Sequence, residues 1–326
     1  MRARLIIVGF GNIGMAVAST LSAKKRQLKN AGYDISVVAV CEAVGCLVDT
    51  KGLDLKVLTG AKPRWSKKLG TLDTIRDTEA DIVVELTPGN VQTGEPGLSH
   101  IMAAIGSGKH VVTSNKSPLV VDYNGIMDAA KDVGVQVRYE ATVGGAIPVL
   151  STIERETKAN TVKNIYGILN GTTNFILTKM DEEAVDFASA LAEAQELGYA
   201  ETDPTYDIKG YDSASKVAIL LNTVRGQGAS IRDMKIEGIN RISPDVMELA
   251  RDYGYAIRLV GDMDAKEVGP RLVPLDHPLN VGGSLNAILI ESDLAQDITL
   301  IGHGAGPEPT ASAIIADIAS VMDRMD

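Results

Sequence analysis

The fold is decided by Gly9-Phe10-Gly11-Asn12-Ile13-Gly14, a glycine-rich stretch between the apolar run Leu5–Val8 and a helical pattern from Asn12 to Asn30. A strand, a G-x-G-x-x-G turn and a helix in this order are typical of dinucleotide-binding units. Gly9 would make the tight turn, Gly11 would let a pyrophosphate approach the backbone, and Gly14 would let helix and strand pack closely. We predict that all six residues line a cofactor site. The alternative is a strand-to-helix turn that binds nothing.

Short apolar runs alternate with helical patterns in the rest of the first half. Strands are predicted at Leu5–Val8, Ile35–Val40, Ile82–Leu86, His110–Thr113 and Val135–Tyr139, and helices at Asn12–Asn30 and Tyr123–Lys131. Residues 52–71 are predicted to be a loop with short helical pieces. Strands that are apolar on both faces suit a parallel sheet covered by helices on either side. This half is therefore predicted to be a Rossmann-type α/β domain with a doubly wound parallel sheet.

The pattern changes after Glu140, and a second, α+β domain is predicted there. Its predicted elements are a strand at Val162–Leu169, helices at Val149–Thr157, Glu182–Leu197 and Lys216–Val224, and strands at Ala287–Glu291 and Thr299–Ile301. A glycine-rich turn at Gly302–Gly306 precedes the last predicted helix, Thr310–Met322, which we expect to return to the first domain. The predicted domains are therefore 1–135 with 305–326, and 136–304.

The composition excludes several classes of function. Acidic residues outnumber basic ones by 42 to 32, and the resulting net charge of −10 would repel the phosphates of a nucleic acid. No apolar run approaches the roughly 18 residues that a membrane span requires. The two cysteines, Cys41 and Cys46, are too few for a disulfide framework, which fits a reducing cytoplasm. We therefore expect a cytoplasmic protein with a small-molecule substrate and neither nucleic-acid nor membrane partners.

Glu42 follows the second predicted strand, where an acidic residue can bind the ribose hydroxyls of adenosine. A carboxylate at this position repels the 2′-phosphate of NADP, so NAD is favoured over NADP. Two alternatives stay open. Glu42 could be a solvated loop residue, and Arg26 and Lys51 could support a 2′-phosphate if the fold brings them close.

Further blocks of sequence follow in order along nearly the whole chain. They are Glu85–Asn90, Thr113–Lys116, Glu140–Gly145, Gly167–Leu177, Leu197–Pro204 and Gly302–Gly306. Together with the glycine-rich stretch they resemble the homoserine dehydrogenase family, in its short, monofunctional form without a kinase or regulatory domain. The resemblance implies NAD(P)-dependent hydride transfer between homoserine and aspartate 4-semialdehyde in threonine, methionine and isoleucine biosynthesis.

Oxidation of an alcohol by hydride transfer requires a base for the hydroxyl proton, and two lysines are candidates. The resemblance implies that Lys116 is the main proton acceptor and that Lys216 binds and polarises the substrate oxygen. Desolvation disfavours the charged form of a buried lysine, which allows it to act as a base. One alternative is a plain ion pair between Lys216 and Asp212, which are four residues apart. Another is that Asp212 is a helix N-cap.

The substrate-binding residues are expected in the second domain. Glu201 and Asp207 are the predicted ligands of the substrate ammonium, because two carboxylates suit a positive charge. Asp212 is a further predicted substrate-binding residue. A turn at Gly171 and Thr172 would offer backbone N–H groups to the substrate carboxylate. The alternatives are a solvated acidic loop and an ordinary tight turn.

The resemblance assigns further residues to the cofactor and to a cation. The cofactor would also contact Thr87, Pro88, Ser114, Lys116 and Gly306. A bound Na⁺ or K⁺ would be held by Glu140, Val143, Gly145 and Ile147. One carboxylate with several backbone carbonyls suits a hard cation. The resemblance also implies a homodimer that forms through the sheet of the second domain.

Two other functions remain as alternatives. One is a Rossmann dehydrogenase for another amino-acid-like alcohol. The other is a non-catalytic protein that binds NAD(P) and senses its redox state. A sensor would keep Gly9, Gly11 and Gly14 but would have no need of the polar residues in the second half.

Overall fold

The computed structural model describes residues 1–60 and 65–325. The chain divides into two units, of which the first consists of Met1–Thr142 with Gly306–Asp326 and the second of Val143–Ala305. Among the described residues, no helix combines the length and the apolar character that are needed to cross a bilayer.

The strands described in the first unit form one sheet. They are β1 (Arg2–Val8), β2 (Asp34–Glu42), β3 (Gly45–Val48), β4 (Ile82–Glu85), β5 (His110–Thr113) and β6 (Val137–Arg138). Their order is β3-β2-β1-β4-β5-β6, and all pairs are parallel except β2 with β3. This sheet confirms the predicted Rossmann-type α/β fold. Ligands of such sheets bind outside the carboxyl ends of the strands where the strand order reverses, which is here between β1 and β4.

Helices pack on this sheet because its strands are apolar on both faces. They are α1 (Asn12–Ala23), α2 (Lys25–Asn30), α3 (Leu55–Gly60), α4 (Thr71–Asp77), α5 (Gly97–Gly106), α6 (Lys116–Val133) and the C-terminal α13 (Pro307–Met322). Leu5 and Ile7 of β1 share a buried core with Val17 of α1 and with Ile314 and Ile318 of α13. Burial of each such side chain contributes about 1.5–3 kcal/mol, so this core holds α1 and α13 to the sheet.

The structure corrects several predicted elements of the first unit. The single helix predicted for Asn12–Asn30 is wrong, because Lys24 has φ −95° and ψ 7° and separates α1 from α2. The helix predicted at Tyr123–Lys131 is part of the longer α6, which is kinked at Asp122. The strand predicted at Val135–Tyr139 is limited to β6. Within the loop predicted at 52–71, α3 is a short helical piece as expected, and residues 61–64 lie outside the described residues.

Strand β3 was not predicted, and it brings the two cysteines together. Cys41 of β2 lies directly opposite Cys46 of β3 in the antiparallel pair. Both thiols are buried and neither forms a disulfide. The hydrogen bond between them lowers the pKa of Cys46 and raises the pKa of Cys41. The sequence analysis did not anticipate that the hairpin of β2 and β3 places the two thiols side by side.

The strands described in the second unit form another sheet. They are β7 (Val162–Ile168), β8 (Lys235–Ile236), β9 (Tyr255–Asp262), β10 (Glu267–Pro274), β11 (Leu285–Ser292) and β12 (Asp297–His303). Their order is β12-β11-β7-β9-β10-β8, and the pairs are antiparallel except β10 with β8. The helices of this unit are α7 (Val149–Glu156), α8 (Gly171–Glu183), α9 (Phe187–Glu196), α10 (Thr205–Ile208), α11 (Tyr211–Arg225) and α12 (Pro244–Asp252).

Three predicted elements of the second unit are corrected. The helix predicted at Glu182–Leu197 is wrong, because Ala184 is left-handed at φ 53° and Asp186 caps a new helix, α9. The turn predicted at Gly171 and Thr172 is instead the first turn of α8. Gly302 and His303 belong to β12, so the predicted glycine-rich turn is shorter than expected. Strands β9 and β10 had no counterpart in the sequence analysis.

Candidate active site

The glycines between β1 and α1 have different steric roles. Gly9 has a φ of +93°, and a Cβ on it would lie 2.7 Å from the carbonyl carbon of Leu86. A Cβ on Gly14 would lie 2.3 Å from the carbonyl oxygen of Gly9. By contrast, apart from its chain neighbours, nothing lies within 4 Å of the position that a Cβ on Gly11 would take. Packing therefore requires Gly9 and Gly14, whereas Gly11 leaves open space beside the backbone.

This open space lies at the N-terminus of α1. Gly11 is the N-cap residue and supplies no side-chain cap. The N–H groups of Asn12 and Ile13 donate no hydrogen bond within residues 1–60 and 65–325. Unpaired N–H groups and the helix dipole favour a bound anion at this position. The turn thus has both the space and the donors for a pyrophosphate, and its residues fit a dinucleotide.

Glu42, the last residue of β2, lies beside the glycine-rich turn. One of its carboxylate oxygens accepts a hydrogen bond from the N–H of Phe10, and the other accepts one from the N–H of Ala43 at 3.3 Å. The carboxylate is therefore held at the carboxyl edge of the sheet, where an acidic residue can face ribose hydroxyls. Lys51 lines a groove of about 490 Å³ with residues 34–37, in the amino-terminal half of β2 and away from Glu42.

The cofactor residues predicted after β4 and β5 lie at the same edge of the sheet. Thr87 donates hydrogen bonds from its N–H, at 3.0 Å, and from its hydroxyl to the carboxylate of Glu85. The N–H of Ser114 donates to the carbonyl of Glu85 at 3.4 Å. Pro88 is exposed beside them. The loops that follow these two strands are thus joined through one buried residue of β4.

Lys116 and Gly306 each lie at the start of a helix in the first unit. Lys116 is half-buried and is the first residue of α6. It follows Asn115, whose side chain caps the helix by accepting a hydrogen bond from the N–H of Ser117 at 3.1 Å. Gly306 is the N-cap residue of α13 and has a φ of +113°, a conformation that favours glycine.

In the second unit, Lys216 and Asp212 form a buried ion pair. The Nζ atom of Lys216 lies 2.7 Å from the Oδ2 atom of Asp212 and 2.5 Å from the carbonyl oxygen of Leu169. The side chains are only 8% and 11% exposed. Leu169 follows β7, so the ammonium group sits at the end of that strand. The alternative in which Asp212 is a helix N-cap is wrong, because Gly210 occupies the N-cap of α11.

Asn170 completes this cluster, and the sequence analysis did not assign it a role. Its Nδ2 atom donates to Asp212 at 2.9 Å and to Asp207 at 2.8 Å. Its Oδ1 atom accepts a hydrogen bond from the N–H of Thr173 and so caps α8. We refer to Asn170, Asp207, Asp212 and Lys216 as the Lys216 cluster. An asparagine directly before a Gly-Thr-Thr segment is an N-cap signal that could have identified it.

Of the other predicted substrate residues, Gly171 and Thr172 belong to the first turn of α8, whereas Glu201 lies in the loop after α9. Gly171 is the first residue of α8, and a Cβ on it would lie 2.8 Å from the carbonyl oxygen of Ser284. The hydroxyl of Thr172 donates to the carbonyl of Tyr199 at 2.6 Å, which ties α8 to the loop after α9. Glu201 is exposed, and its backbone carbonyl accepts a hydrogen bond from Gln195 at 3.1 Å. The structure therefore brings Asp207 and Asp212 together without Glu201.

The four residues predicted for a cation belong to both units. Glu140 is a buried residue of the first unit, and its N–H donates to Asp317 of α13 at 2.8 Å. Val143 and Ile147, in the second unit, are buried. Gly145 has a φ of +58°, and a Cβ on it would lie 2.6 Å from the carbonyl carbon of Gly304. Gly145 is thus required by a close backbone approach within the second unit.

The contrast between Gly11 and Gly14 leads to a prediction about two alanine substitutions. Gly11→Ala should leave the free energy of unfolding within about 1 kcal/mol but weaken NADH binding at least about tenfold, because its methyl group fills the open space. Gly14→Ala should lower the free energy of unfolding by about 1–3 kcal/mol, because its methyl group overlaps the Gly9 carbonyl. Urea unfolding and calorimetric NADH titration measure both effects. Unchanged NADH affinity in Gly11→Ala would mean that the turn binds no dinucleotide.

Comparison with known families agrees with the candidate residues of each unit. A family model described as the NAD-binding domain of homoserine dehydrogenase matches residues 9–140, which include the glycine-rich turn. A second model, described as homoserine dehydrogenase, matches residues 148–319, which include the Lys216 cluster.

Relatives match the chain over its full length. The homoserine dehydrogenase of Methanocaldococcus jannaschii is 45% identical over 97% of this chain and 98% of its own. The solved structure of an Archaeoglobus fulgidus protein matches with a TM-score of 0.91 and 37% identity, with 98% of each chain covered. A hyperthermophilic archaeal homoserine dehydrogenase in complex with NADPH matches with a TM-score of 0.85 and 25% identity, over 100% of this chain and 99% of that one. The chain belongs to the homoserine dehydrogenase family.

Proposed function

We propose that the chain interconverts homoserine and aspartate 4-semialdehyde with NAD(P). The observation that carries the proposal is the Lys216 cluster, a buried ammonium group held between a carboxylate and the end of a strand. Burying such a pair costs desolvation energy, so its retention calls for a purpose. A protein that only senses the redox state of a dinucleotide would not need it.

The charges of the cluster suit an amino-acid substrate. Asp207 and Asp212 bring two negative charges to Asn170, and Lys216 supplies one positive charge. Two carboxylates beside one amide are groups that can bind a substrate ammonium. At the N-terminus of α8, the N–H groups of Gly171 and Thr172 donate no hydrogen bond within the described residues, which supports a role in binding the substrate carboxylate. The exposed Glu201 would add a further carboxylate for the ammonium.

The two lysines are proposed to have different roles: Lys216 binds the substrate oxygen and Lys116 accepts the hydroxyl proton. An ammonium group has three N–H donors, and Lys216 uses two of them for Leu169 and Asp212. The third is left for the oxygen of homoserine or of the semialdehyde. The bound dinucleotide supplies the hydride acceptor. We assign the hydroxyl proton to Lys116, which begins α6 at the carboxyl edge of the first sheet.

Within NAD(P), we propose that NAD is preferred. The carboxylate of Glu42 lies against Phe10 of the glycine-rich turn, where it would face the adenosine ribose and repel a 2′-phosphate. Lys51, which could offset that repulsion, lies along the amino-terminal half of β2. Because the structure of an archaeal relative contains NADPH, each assay should compare NAD with NADP.

The proposed reaction predicts nicotinamide reduction that depends on both lysines. Homoserine with NAD should give absorbance at the reduced-nicotinamide band at alkaline pH, with a slower rate for NADP. Lys116→Ala and Lys216→Ala should each lower kcat at least about 100-fold, because the base or the oxygen-binding donor is lost. NADH binding should survive in Lys216→Ala. Tight NADH binding by the wild-type chain without any reduction by homoserine would favour the sensor or a different alcohol.

Asn170, which follows β7, and Asn164, which lies within it, provide a matched pair of substitutions. Asn170→Ala should lower kcat/KM for homoserine by about 10- to 100-fold, because Asp207 and Asp212 lose a shared donor. Asn164→Ala also removes a buried amide, which donates to Asp262 at 2.9 Å, but it should change kcat/KM less than about threefold. Steady-state kinetics on both variants measure the difference. Equal losses would mean that Asn170 acts only through stability.

We propose a structural Na⁺ or K⁺ bound through Glu140, Val143, Gly145 and Ile147. A buried carboxylate and the backbone carbonyls of a tight turn are ligands that suit a hard monovalent cation. The left-handed Gly144 and Gly145 support this proposal, because consecutive positive φ angles turn the chain sharply.

We propose that the chain works as a homodimer in the cytoplasm. Strand β12 is an edge strand of the second sheet and carries the exposed Ile301, which supports pairing of this sheet with a second copy. The unpaired thiols of Cys41 and Cys46 support a reducing compartment. Light scattering should give the mass of two chains, and a mass of one chain at micromolar concentration would overturn the dimer.

A further inference from the structure

Glu85 is an ionisable residue that the proposed reaction does not use. It ends β4, its side chain is 0% exposed, and β4 lies beside β1 at the point where ligands of the first sheet are expected. A buried carboxyl group is costly unless its neighbours satisfy it. Its neighbours therefore indicate what it holds in place.

The carboxylate joins two segments that follow neighbouring strands. Its Oε1 atom accepts hydrogen bonds from the N–H and the hydroxyl of Thr87, in the loop after β4. Its Oε2 atom lies 3.3 Å from the hydroxyl of Thr113, the last residue of β5. The same hydroxyl also donates to the backbone carbonyl of Glu85 at 2.9 Å. The side chain of Glu85 thus fixes the distance between the loop that contains Thr87 and the end of β5.

The connection continues from Thr113 to the helix that begins with Lys116. The Oγ1 atom of Thr113 accepts a hydrogen bond from the N–H of Asn115 at 2.9 Å. Asn115 in turn accepts one from the N–H of Ser117 and caps α6. Lys116 lies between these two residues in the chain. The hydrogen bonds from Thr113 to Glu85 and from Asn115 to Thr113 therefore connect Glu85 to the residue before Lys116. A third hydrogen bond, from Ser117 to Asn115, extends the connection to the residue after it.

The surroundings of the carboxylate leave little room for rearrangement. A Cβ on Gly97 would lie 2.5 Å from the Nδ2 atom of Asn115 and 3.2 Å from the Oε2 atom of Glu85. The Nδ1 atom of His100 is 3.6 Å from the Oε1 atom of Glu85. Both of these nitrogen atoms are buried and make no hydrogen bond with any residue that the structure describes. The carboxylate thus lies near the amide NH2 group of Asn115, which is itself a donor, so a donor added there would find no new acceptor in it.

We infer that Glu85 is a positioning residue for the dinucleotide-binding edge. Through Thr87 it holds the loop that contacts the cofactor. Through Thr113 and Asn115 it holds the start of α6, and with it Lys116. Only the second part rests on the proposed function, because it takes Lys116 as the base that meets the substrate hydroxyl.

Glu85→Gln tests this inference, because it keeps the shape of the side chain and replaces one acceptor oxygen by a donor. Calorimetric titration should show NADH affinity reduced about tenfold, because the glutamine NH2 group must face either the donors of Thr87 or the hydroxyl of Thr113, and either placement disturbs the connection between the two segments. The kcat for homoserine should fall by about 10- to 100-fold with KM for homoserine changed less than about threefold, because displacement of the base affects the chemical step. Unchanged NADH affinity and unchanged kcat would overturn the inference.

Thr113 separates positioning from a general loss of stability. Thr113→Val removes the hydroxyl and should reproduce the fall in kcat, whereas Thr113→Ser keeps the hydroxyl and should restore it to within about threefold of wild type. The double variant Glu85→Gln/Thr113→Val should lose little more than the worse single variant, because both changes break one connection. Additive losses in kcat would contradict the connection through Thr113.

Lys109→Met is the control for loss of a buried charge in the same sheet. Lys109 precedes β5 at its amino end, where burial lowers its pKa and its Nζ atom lies 3.3 Å from the carbonyl of Arg76. This variant should change stability but leave NADH affinity and kcat within about twofold of wild type. A wild-type chain that binds NADH but does not oxidise homoserine would end the proposed function, while the NADH affinity of Glu85→Gln would still decide the anchoring of Thr87.

Discussion

The ammonium group of Lys216 is buried, and its need for compensation is the constraint on which the second unit's site depends. Removing one partner of such a pair leaves an uncompensated charge, at a cost of about 3–5 kcal/mol. Asp212 meets that need one helical turn away, and the carbonyl of Leu169 meets it from the end of β7. Asn170 then shares its amide between Asp212 and Asp207 while it caps α8. The contacts that compensate the buried charge of Lys216 thus also position two carboxylates and the first N–H groups of α8 where they can bind an amino acid.

In the first unit, the site depends on glycine residues, because a side chain at these positions would prevent close packing or fill the open space. Gly9 and Gly14 permit β1 and α1 to pack closely, and Gly11 leaves open space at the start of α1, whose first N–H groups donate no hydrogen bond within the part of the chain that the structure describes. Glu42 borders that space on one side. At the end of β4, the buried Glu85 organises the loop of Thr87. The binding edge is therefore formed by residues that hydrogen bonds within the first unit hold in place.

The strands β1, β2, β4 and β5 were predictable because apolar residues on both faces have no other stable location than a covered sheet. The turn at Gly9 was predictable for the same kind of reason, since only glycine fits it. Strand β9 was missed because Arg258 interrupts its apolar pattern, although the guanidinium is buried against Asn280. The role of Asn170 in the cluster was missed because it arises from Asp207 and Asp212, two partners that are distant in sequence. Glu201 matched the family pattern, yet its exposed side chain lies outside the contacts of the Lys216 cluster.

Recognition of an ammonium group by the Lys216 cluster is tested most directly by comparing homoserine with 4-hydroxybutanoate, which lacks only the amino group. The measurement is kcat/KM for each alcohol with NAD and the wild-type chain. We predict a value at least about 100-fold lower for 4-hydroxybutanoate, because the carboxylates of Asp207 and Asp212 would lose the cation that they are arranged to bind. Equal values for the two alcohols would contradict this assignment of the cluster.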